Sequence, residues 1–351
     1  MEQAATLTRL LFVAVLLAGC AVQTVVAPDN DADAANCGGN RVCACGDKVV
    51  KDYVLPADLG PCSGNGLRIG GAVTLDGGGH VIRGRGPGTQ GSGLRIPVEA
   101  SGATIRDVRV TGFANGVRLI GARGVRLEGV EADGNGDTKS REGYGIDLSQ
   151  AASDNVLERV KVHGNADEGI HVGTEASRNR IVDAQVWGNS RENVYFLACH
   201  DNRLERSKVW GSGRGNAAVY VKFATGTVIE GNSISDGPVQ IRGGARGTTL
   251  ADNTLSGAGV VLESQEDKRF GSGTPSDTTV HGGSITAPDF CVRIAAASGT
   301  SVSDVKMSCP DGIKVARGSR IALREGAGPR VPVRCADGGS GCVQAGGTVP
   351  R

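Results

Sequence analysis

The stretch GIDLSQAASDNVLERVKVHGNADEGIHV (145–172) decides the fold, because it opens and closes on the same four-residue pattern. That pattern is a small residue, an aliphatic, a variable residue and a second aliphatic. It returns as GLRI (66–69), GLRI (93–96), GVRL (116–119), GIDL (145–148), GIHV (169–172), NVYF (193–196), AVYV (218–221), PVQI (238–241), GVVL (259–262), CVRI (291–294) and GIKV (312–315). The first aliphatic residues lie 27, 23, 29, 24, 24, 25, 20, 21, 32 and 21 positions apart. Self-similarity at such a period is the signature of a solenoid. Each copy alternates in and out and is too short for a helix. A second extended segment follows each copy, as in NVLERVKVHGN (155–165), NRIVDAQVWGN (179–189) and NRLERSKVWGS (202–212). The expected fold is all-β, a single-stranded right-handed parallel β-helix of about 11 coils. At a strand spacing of ~4.8 Å the rod is about 50 Å long.

Composition agrees. Fifty-six glycines among 351 residues suit a chain of many tight corners, and 3% aromatic residues suit a narrow aliphatic core. The formal net charge of +1 implies no bulk electrostatic partner. The expected divisions are a signal peptide (1–19), a lipidated tether (20–36), an N-terminal cap (37–65), the β-helix (66–325) and a C-terminal cap or tail (326–351). Arg9 precedes an apolar run from Leu10 to Ala18, and Leu17-Ala18-Gly19-Cys20 resembles a bacterial lipoprotein box. Lipid on Cys20 would anchor a monomeric protein in the cell envelope, facing the periplasm or the cell surface. Nucleic acid is not expected as a partner of an exported protein.

Cysteine placement supports export. Cys37, Cys43, Cys45 and Cys62 cluster before the first coil, and Cys291, Cys309, Cys335 and Cys342 lie near the end. A solenoid must cover the open edges at its ends, and disulfide-stapled caps do so in an oxidising compartment. The CxC at 43–45 has no nearby His, so disulfides are expected there in preference to a metal. Cys199 reads as a small buried apolar residue.

In an alternating strand the variable residue points outward. Coil by coil it is Arg68, Arg95, Arg118, Asp147, His171, Tyr195, Tyr220, Gln240, Val261, Arg293 and Lys314. The column two residues on includes Lys222, Arg242 and Glu263. Together the two columns hold seven basic residues against two acidic ones, which suits a linear polyanion lying along the rod. Asp147, His171, Tyr195, Tyr220, Lys222 and Arg242 crowd the middle of this face and form the candidate catalytic set. Loops in the two longest steps, GNGDTKSREG (134–143) and SQEDKRFGSGTPSD (264–277), are expected to project over it. Lys139, Arg141 and Glu142 in the first would then reach the cluster. Trp187 and Trp210, in one column with His163, either stack on sugar rings or pack on each other.

These repeats resemble those of parallel β-helix proteins, a broad family that includes pectate lyases, alginate lyases and C5-epimerases. The resemblance implies the fold and leaves the chemistry to the site. Tyr144-Gly145-Ile146-Asp147 is similar to a segment of secreted alginate C5-epimerases, Tyr-Gly-Phe-Asp followed by Pro-His. Here Leu148 and Ser149 stand where that Pro-His would be, and His171 lies one coil on. The resemblance implies a catalytic groove containing Tyr144 and Asp147, and uronate chemistry as lyase or epimerase. For C5-proton abstraction a cation must neutralise the carboxylate, a base must take the proton and an acid must assist the leaving oxygen. Lys222 and Arg242 are the expected neutralisers and His171 the base, oriented by Asp147. Tyr195 or Tyr220 is the acid or an opposite-face base. The alternative is a non-catalytic lipoprotein that binds a glycan or a partner through the basic face.

Other chemistries fit less well. An inverting hydrolase of the polygalacturonase kind needs several clustered Asp, and only Asp147 and Asp167 are candidates. Glu168 and Glu192 fall at one repeat position on adjacent coils, so a calcium ion between them, the flanking Arg191, or outward bending into solvent is expected to relieve their repulsion. No other cofactor is implied. Asn155, Asn179 and Asn202 recur at one turn and read as a structural ladder.

Overall fold

The computed structural model describes residues 34–137, 143–213, 215–316, 319–324 and 332–336. The expected anchor at Cys20, the loop residues Lys139, Arg141 and Glu142, and Cys342 lie outside them. The chain is a right-handed parallel β-helix whose three sheets carry 14, 12 and 11 strands among the described residues. The repeat strands build the 14-stranded sheet in strict order, with Ile146, Ile170, Val194, Val219 and Val239 in one register row. The in-phase pairing follows from the sequence pattern. Each aliphatic residue lands on another one coil away, so a shift of one residue would bury the polar column.

The second segment of each repeat proves to be two short strands. Val156–Glu158 joins the 12-stranded sheet, and Lys161–His163 joins the 11-stranded one. The bend between them sits at Arg159, whose φ is +52°. Repetition recurs at Asp183 and Arg206, with φ of +54° and +46°. The small residue of each repeat has a steric cause. A Cβ on Gly145 would stand 2.3 Å from Val162 Cγ1, and one on Gly169 would stand 2.5 Å from Asn189 Nδ2.

The expected Asn ladder is present. Asn155 Nδ2 donates to Asn179 Oδ1 at 2.8 Å, and Asn179 Nδ2 donates to Asn202 Oδ1 at 3.0 Å. A second ladder of Asn135, Asn165, Asn189 and Asn193 lines the corner that leads into the 14-stranded sheet. These amides satisfy corner backbone groups that no sheet can reach. Asn179→Ala strands the backbone N–H of Asn155 and the carbonyl of Ala152, both bonded to Asn179 in the folded chain. The expected loss is roughly 1–3 kcal/mol of unfolding free energy, measured by denaturant titration.

Disulfides join Cys37 to Cys43, Cys45 to Cys62, and Cys291 to Cys309. Cys335 is also disulfide-bonded. The segment expected as a cap contributes strands to all three sheets, from Asn36–Cys37 to Leu59–Cys62, so it is a stapled coil in its own right. Cys199 is free and buried, and burial pushes its thiol up to about 12. Non-reducing peptide mapping is expected to return these three bridges, and Cys199 is expected to react with an alkylating reagent only after unfolding.

Candidate active site on the 14-stranded sheet

Register places Asp147, His171, Tyr195, Tyr220 and Gln240 side by side on five successive strands. Their flanking aliphatics fill the core, whereas Tyr195 and Tyr220 form a separate small cluster with Ala217 and Leu197 on the outer surface. The polar column therefore faces outward, yet it is not open. Asp147 is 2% exposed and both tyrosines are 7% exposed, because neighbouring side chains stack over one another.

Asp147 is the hub. Its Oδ1 lies 2.9 Å from His171 Nδ1, and its Oδ2 accepts from Arg118 Nε at 3.0 Å and Ser149 Oγ at 3.1 Å. Burial alone would raise the Asp147 pKa, but the bonds to His171 and Arg118 outweigh it and hold the carboxyl below its ordinary value. For His171, burial disfavours the imidazolium. The hydrogen bond and charge of Asp147 outweigh that burial and raise the imidazole above its ordinary value. An ionised carboxylate only accepts, so Nδ1 carries a proton and Nε2 is the basic atom of the neutral ring. Nε2 has no hydrogen-bond partner among the described residues. Tyr144 stacks on the ring with centroids 4.7 Å apart, and Tyr195 leans on it at 5.7 Å and 53°.

Two of the tyrosines are shifted away from ionisation. Burial first, then nearby charge, raises Tyr144 and Tyr195 well above the usual phenol range, so each holds its proton at neutral pH. Of the two roles expected for Tyr195, a raised pKa fits the acid better than the opposite-face base. Tyr220 stacks on Tyr195 at 5.0 Å and donates to Gln265 Oε1 at 2.5 Å.

The basic excess does not form an open track. Lys222 Nζ is 2.6 Å from Asp267 Oδ2, Arg242 pairs with Glu263, and Arg293 lies 3.1 Å from the same Glu263. Lys314 pairs with Asp311 at 2.6 Å, and Arg68 pairs with Glu99. Lys222 and Arg242, expected to neutralise a substrate carboxylate, thus already hold acids of their own. Glu263 belongs to the same outward column as Arg242, whereas Asp267 comes from the 264–277 loop and Asp311 and Glu99 from the segments beside the strands, which the columns do not reveal. Arg118 differs: its Nε binds Asp147, while its Nη groups have no hydrogen-bond partner among the described residues.

A second group of acids adjoins the hub. Arg191 lies 3.1 Å from Asp167, 3.0 Å from Glu168 and 3.5 Å from Glu192. Arg191, one of the expected counter-charges for the stacked glutamates, thus lies against both of them. One guanidinium cannot satisfy three carboxylates, and Oε2 of both glutamates is buried without a hydrogen bond. Burial, then repulsion from Asp167, raises Glu168 to about 7. The raised pKa of Glu168 was not legible in the sequence. Its only sign there is the Asp167-Glu168 pair beside the stacked Glu192.

Trp187 and Trp210 lie on the 11-stranded sheet, around a corner from the hub. They stack on each other at 4.9 Å and 2°, and His163 stacks on Trp187 at 4.1 Å. Their ring faces are largely spent on one another, which is the packing alternative. Glu131, Asp133 and His163 converge beside this column, but Arg109 binds both Asp133 oxygens at 2.8 Å, so the group is an ion-pair network.

The family model for the right-handed β-helix region matches residues 64–196 and 92–255, together more than half of the chain. The protein belongs to the right-handed β-helix family. Among solved structures it is similar to the Dettilon tailspike protein, at 14% identity and TM-score 0.55, covering 83% of this chain and 60% of that one. It is also similar to an alginate lyase from Paenibacillus sp., at 19% identity and TM-score 0.45, covering 72% and 91%. A periplasmic alginate epimerase aligns at 12% identity and TM-score 0.49, covering 80% and 68%. At such identities the likeness is one of fold. The chain spans about 60% of the length of the tailspike it matches. Comparison with curated proteins gives no match.

Proposed function

We propose that this is an exported enzyme acting on a uronic acid-containing polysaccharide by C5-proton abstraction, as lyase or epimerase. The carrying observation is the 2.9 Å bond between Asp147 and His171 Nδ1, which leaves Nε2 as an oriented base beside the proton-bearing Tyr195. In this reading Arg118 takes the place first expected of Lys222 and Arg242. It neutralises the substrate carboxylate through its Nη groups while Asp147 fixes it through Nε. His171 Nε2 removes the C5 proton. Tyr195 gives its proton to the leaving oxygen in a lyase, or to the opposite face of C5 in an epimerase. Tyr144 packs the imidazole in place. The disulfides support an oxidising compartment, and thus export.

A second reading rests on one observation. Glu168 at about 7 beside an ionised Asp147 gives two carboxyl groups with pKa values pushed apart, the requirement of a glycoside hydrolase. A purely binding role is less well supported, because six of the face's seven cations, Arg68, Arg118, Lys222, Arg242, Arg293 and Lys314, are matched by acids.

The test is incubation of the purified protein with alginate, polygalacturonate, heparin and chondroitin. A lyase generates ultraviolet absorbance from a new C4=C5 double bond. An epimerase changes the C5 configuration in NMR spectra without cleavage. New reducing ends without absorbance select the hydrolase. Acidic glycans bound but chemically unchanged across the panel overturn the enzymatic reading.

A further inference from the structure

The longest repeat step, 32 residues, carries an antiparallel hairpin, Gln265–Asp267 with Gly271–Gly273. It leaves the sheet after Val260–Glu263 and folds back across two coils, onto the strand Val219–Lys222. Alternation turns Ser264, Glu266 and Lys268 outward, and it turns Gln265 and Asp267 down onto the face. Gln265 accepts the Tyr220 hydroxyl at 2.5 Å, and Asp267 holds Lys222 at 2.6 Å. Phe270 packs on Phe223 with centroids 5.4 Å apart. The returning strand is pressed close to the coil beneath, since a Cβ on Gly273 would lie 2.3 Å from the backbone nitrogen of Gly244.

The hairpin is also internally braced. Asp267 Oδ1 accepts the backbone N–H groups of Arg269 and Phe270 at 2.8 and 3.1 Å, which fixes the tip. Lys222 is left with a side chain only 10% exposed. A sugar lying along the rod therefore finds Tyr220 and Lys222 roofed, whereas Arg118, His171 and Tyr195 stand on the near side of the roof.

Building on the proposed uronate chemistry, we propose that this hairpin closes the cleft at one end and restricts the enzyme to the ends of polysaccharide chains. An interior segment must continue past the reacting sugar in both directions. Here one direction is blocked at the coil next to Tyr195, about 5 Å along the axis. The chain end abuts Gln265, Asp267 and Phe270, and the chain leaves over Arg118 towards Arg95 and Arg68. Gln265 and Asp267 thus decide where on a polymer the chemistry happens, without touching the reacting atoms.

The experiment compares the wild type with a variant in which residues 265–273 are replaced by two glycines. A milder double substitution, Gln265→Ala with Asp267→Asn, leaves the hairpin in place but cuts both tethers. Melting temperatures confirm that the variants fold. On whichever panel polymer reacts, the wild type is expected to release units of one or two sugars from the first time points, with little fall in viscosity. The glycine variant is expected to give a ladder of oligosaccharides and a steep fall in viscosity, and the double substitution an intermediate pattern. If the product is epimerised, NMR should find inverted residues only at chain ends in the wild type. Internal action by the wild type from the outset, or identical products from all three proteins, overturns the proposal while leaving the uronate chemistry standing. A catalysis-independent readout uses the His171→Ala variant and counts molecules bound per polymer chain by calorimetry. One per chain at every chain length is expected, and a number growing with chain length overturns the proposal. No binding and no turnover on any panel polymer removes the functional reading itself, and this inference with it.

Discussion

His171→Ala is expected to lower turnover at least ~100-fold, the range for loss of a positioned general base. Tyr195→Phe, which removes only the hydroxyl, should fall in the same range. Both side chains lie outside the main core, so melting temperatures should move by a few degrees at most. The pH dependence supplies a sharper signature. The base form of His171 accumulates only above its raised pKa, so activity should climb with pH on a limb lying above the ordinary imidazole value. Asp147→Asn removes the charge that raises that pKa and leaves burial, which lowers it. The limb should then move to lower pH, and maximal turnover should fall because Nδ1 is no longer held in one tautomer. A limb that stays in place in Asp147→Asn would show that another group is the base. Steady-state rates at a series of pH values decide it.

The fold was legible because the solenoid writes its architecture once per coil. The aliphatic pair around each variable residue set the strand, the register and the outward column, and the structure keeps that register from Leu67 to Val315. The Asn155 ladder was legible for the same reason, as one residue type at one corner. The site was legible only in part. Asp147, His171 and Tyr195 lie in adjacent rows of a parallel sheet, so their contact follows from register. The partner of Lys222 did not follow, although that of Arg242, Glu263, is its neighbour in the register. Asp267 arrives from a hairpin 45 residues along the chain, and no periodicity predicts where a loop folds back. The distinction between outward and exposed was also hidden. Alternation gives the direction of a side chain, but only its neighbours' bulk decides whether water reaches it, and Tyr144, Tyr195 and Tyr220 supply that bulk.

Glu168→Gln is expected to stabilise the protein at about pH 8 and leave its stability nearly unchanged at about pH 4. The sign follows from linkage. The folded pKa of Glu168 is about 7, raised from an ordinary 4.5, so the folded state binds this proton more tightly than the unfolded chain. Stability therefore falls as pH rises through the window between those two values, and the full cost is present above it. A shift of this size corresponds to at most ~3 kcal/mol. The gain in the variant is smaller than that bound, because Arg191 loses one partner while keeping Asp167 and Glu192. Below the window both side chains are neutral and the difference vanishes. Were Glu168 simply the structural partner of Arg191, its amide would destabilise at pH 8. Urea titrations of both proteins at the two pH values separate these outcomes. Turnover of the same variant then divides the two chemistries. C5-proton abstraction through His171 should survive Glu168→Gln within about tenfold, whereas a hydrolase that relies on Glu168 as its acid should lose ~100-fold or more. A carboxyl group kept protonated at the cost of stability has its explanation in function if that second loss is seen, and in the crowding of three acids round Arg191 if it is not.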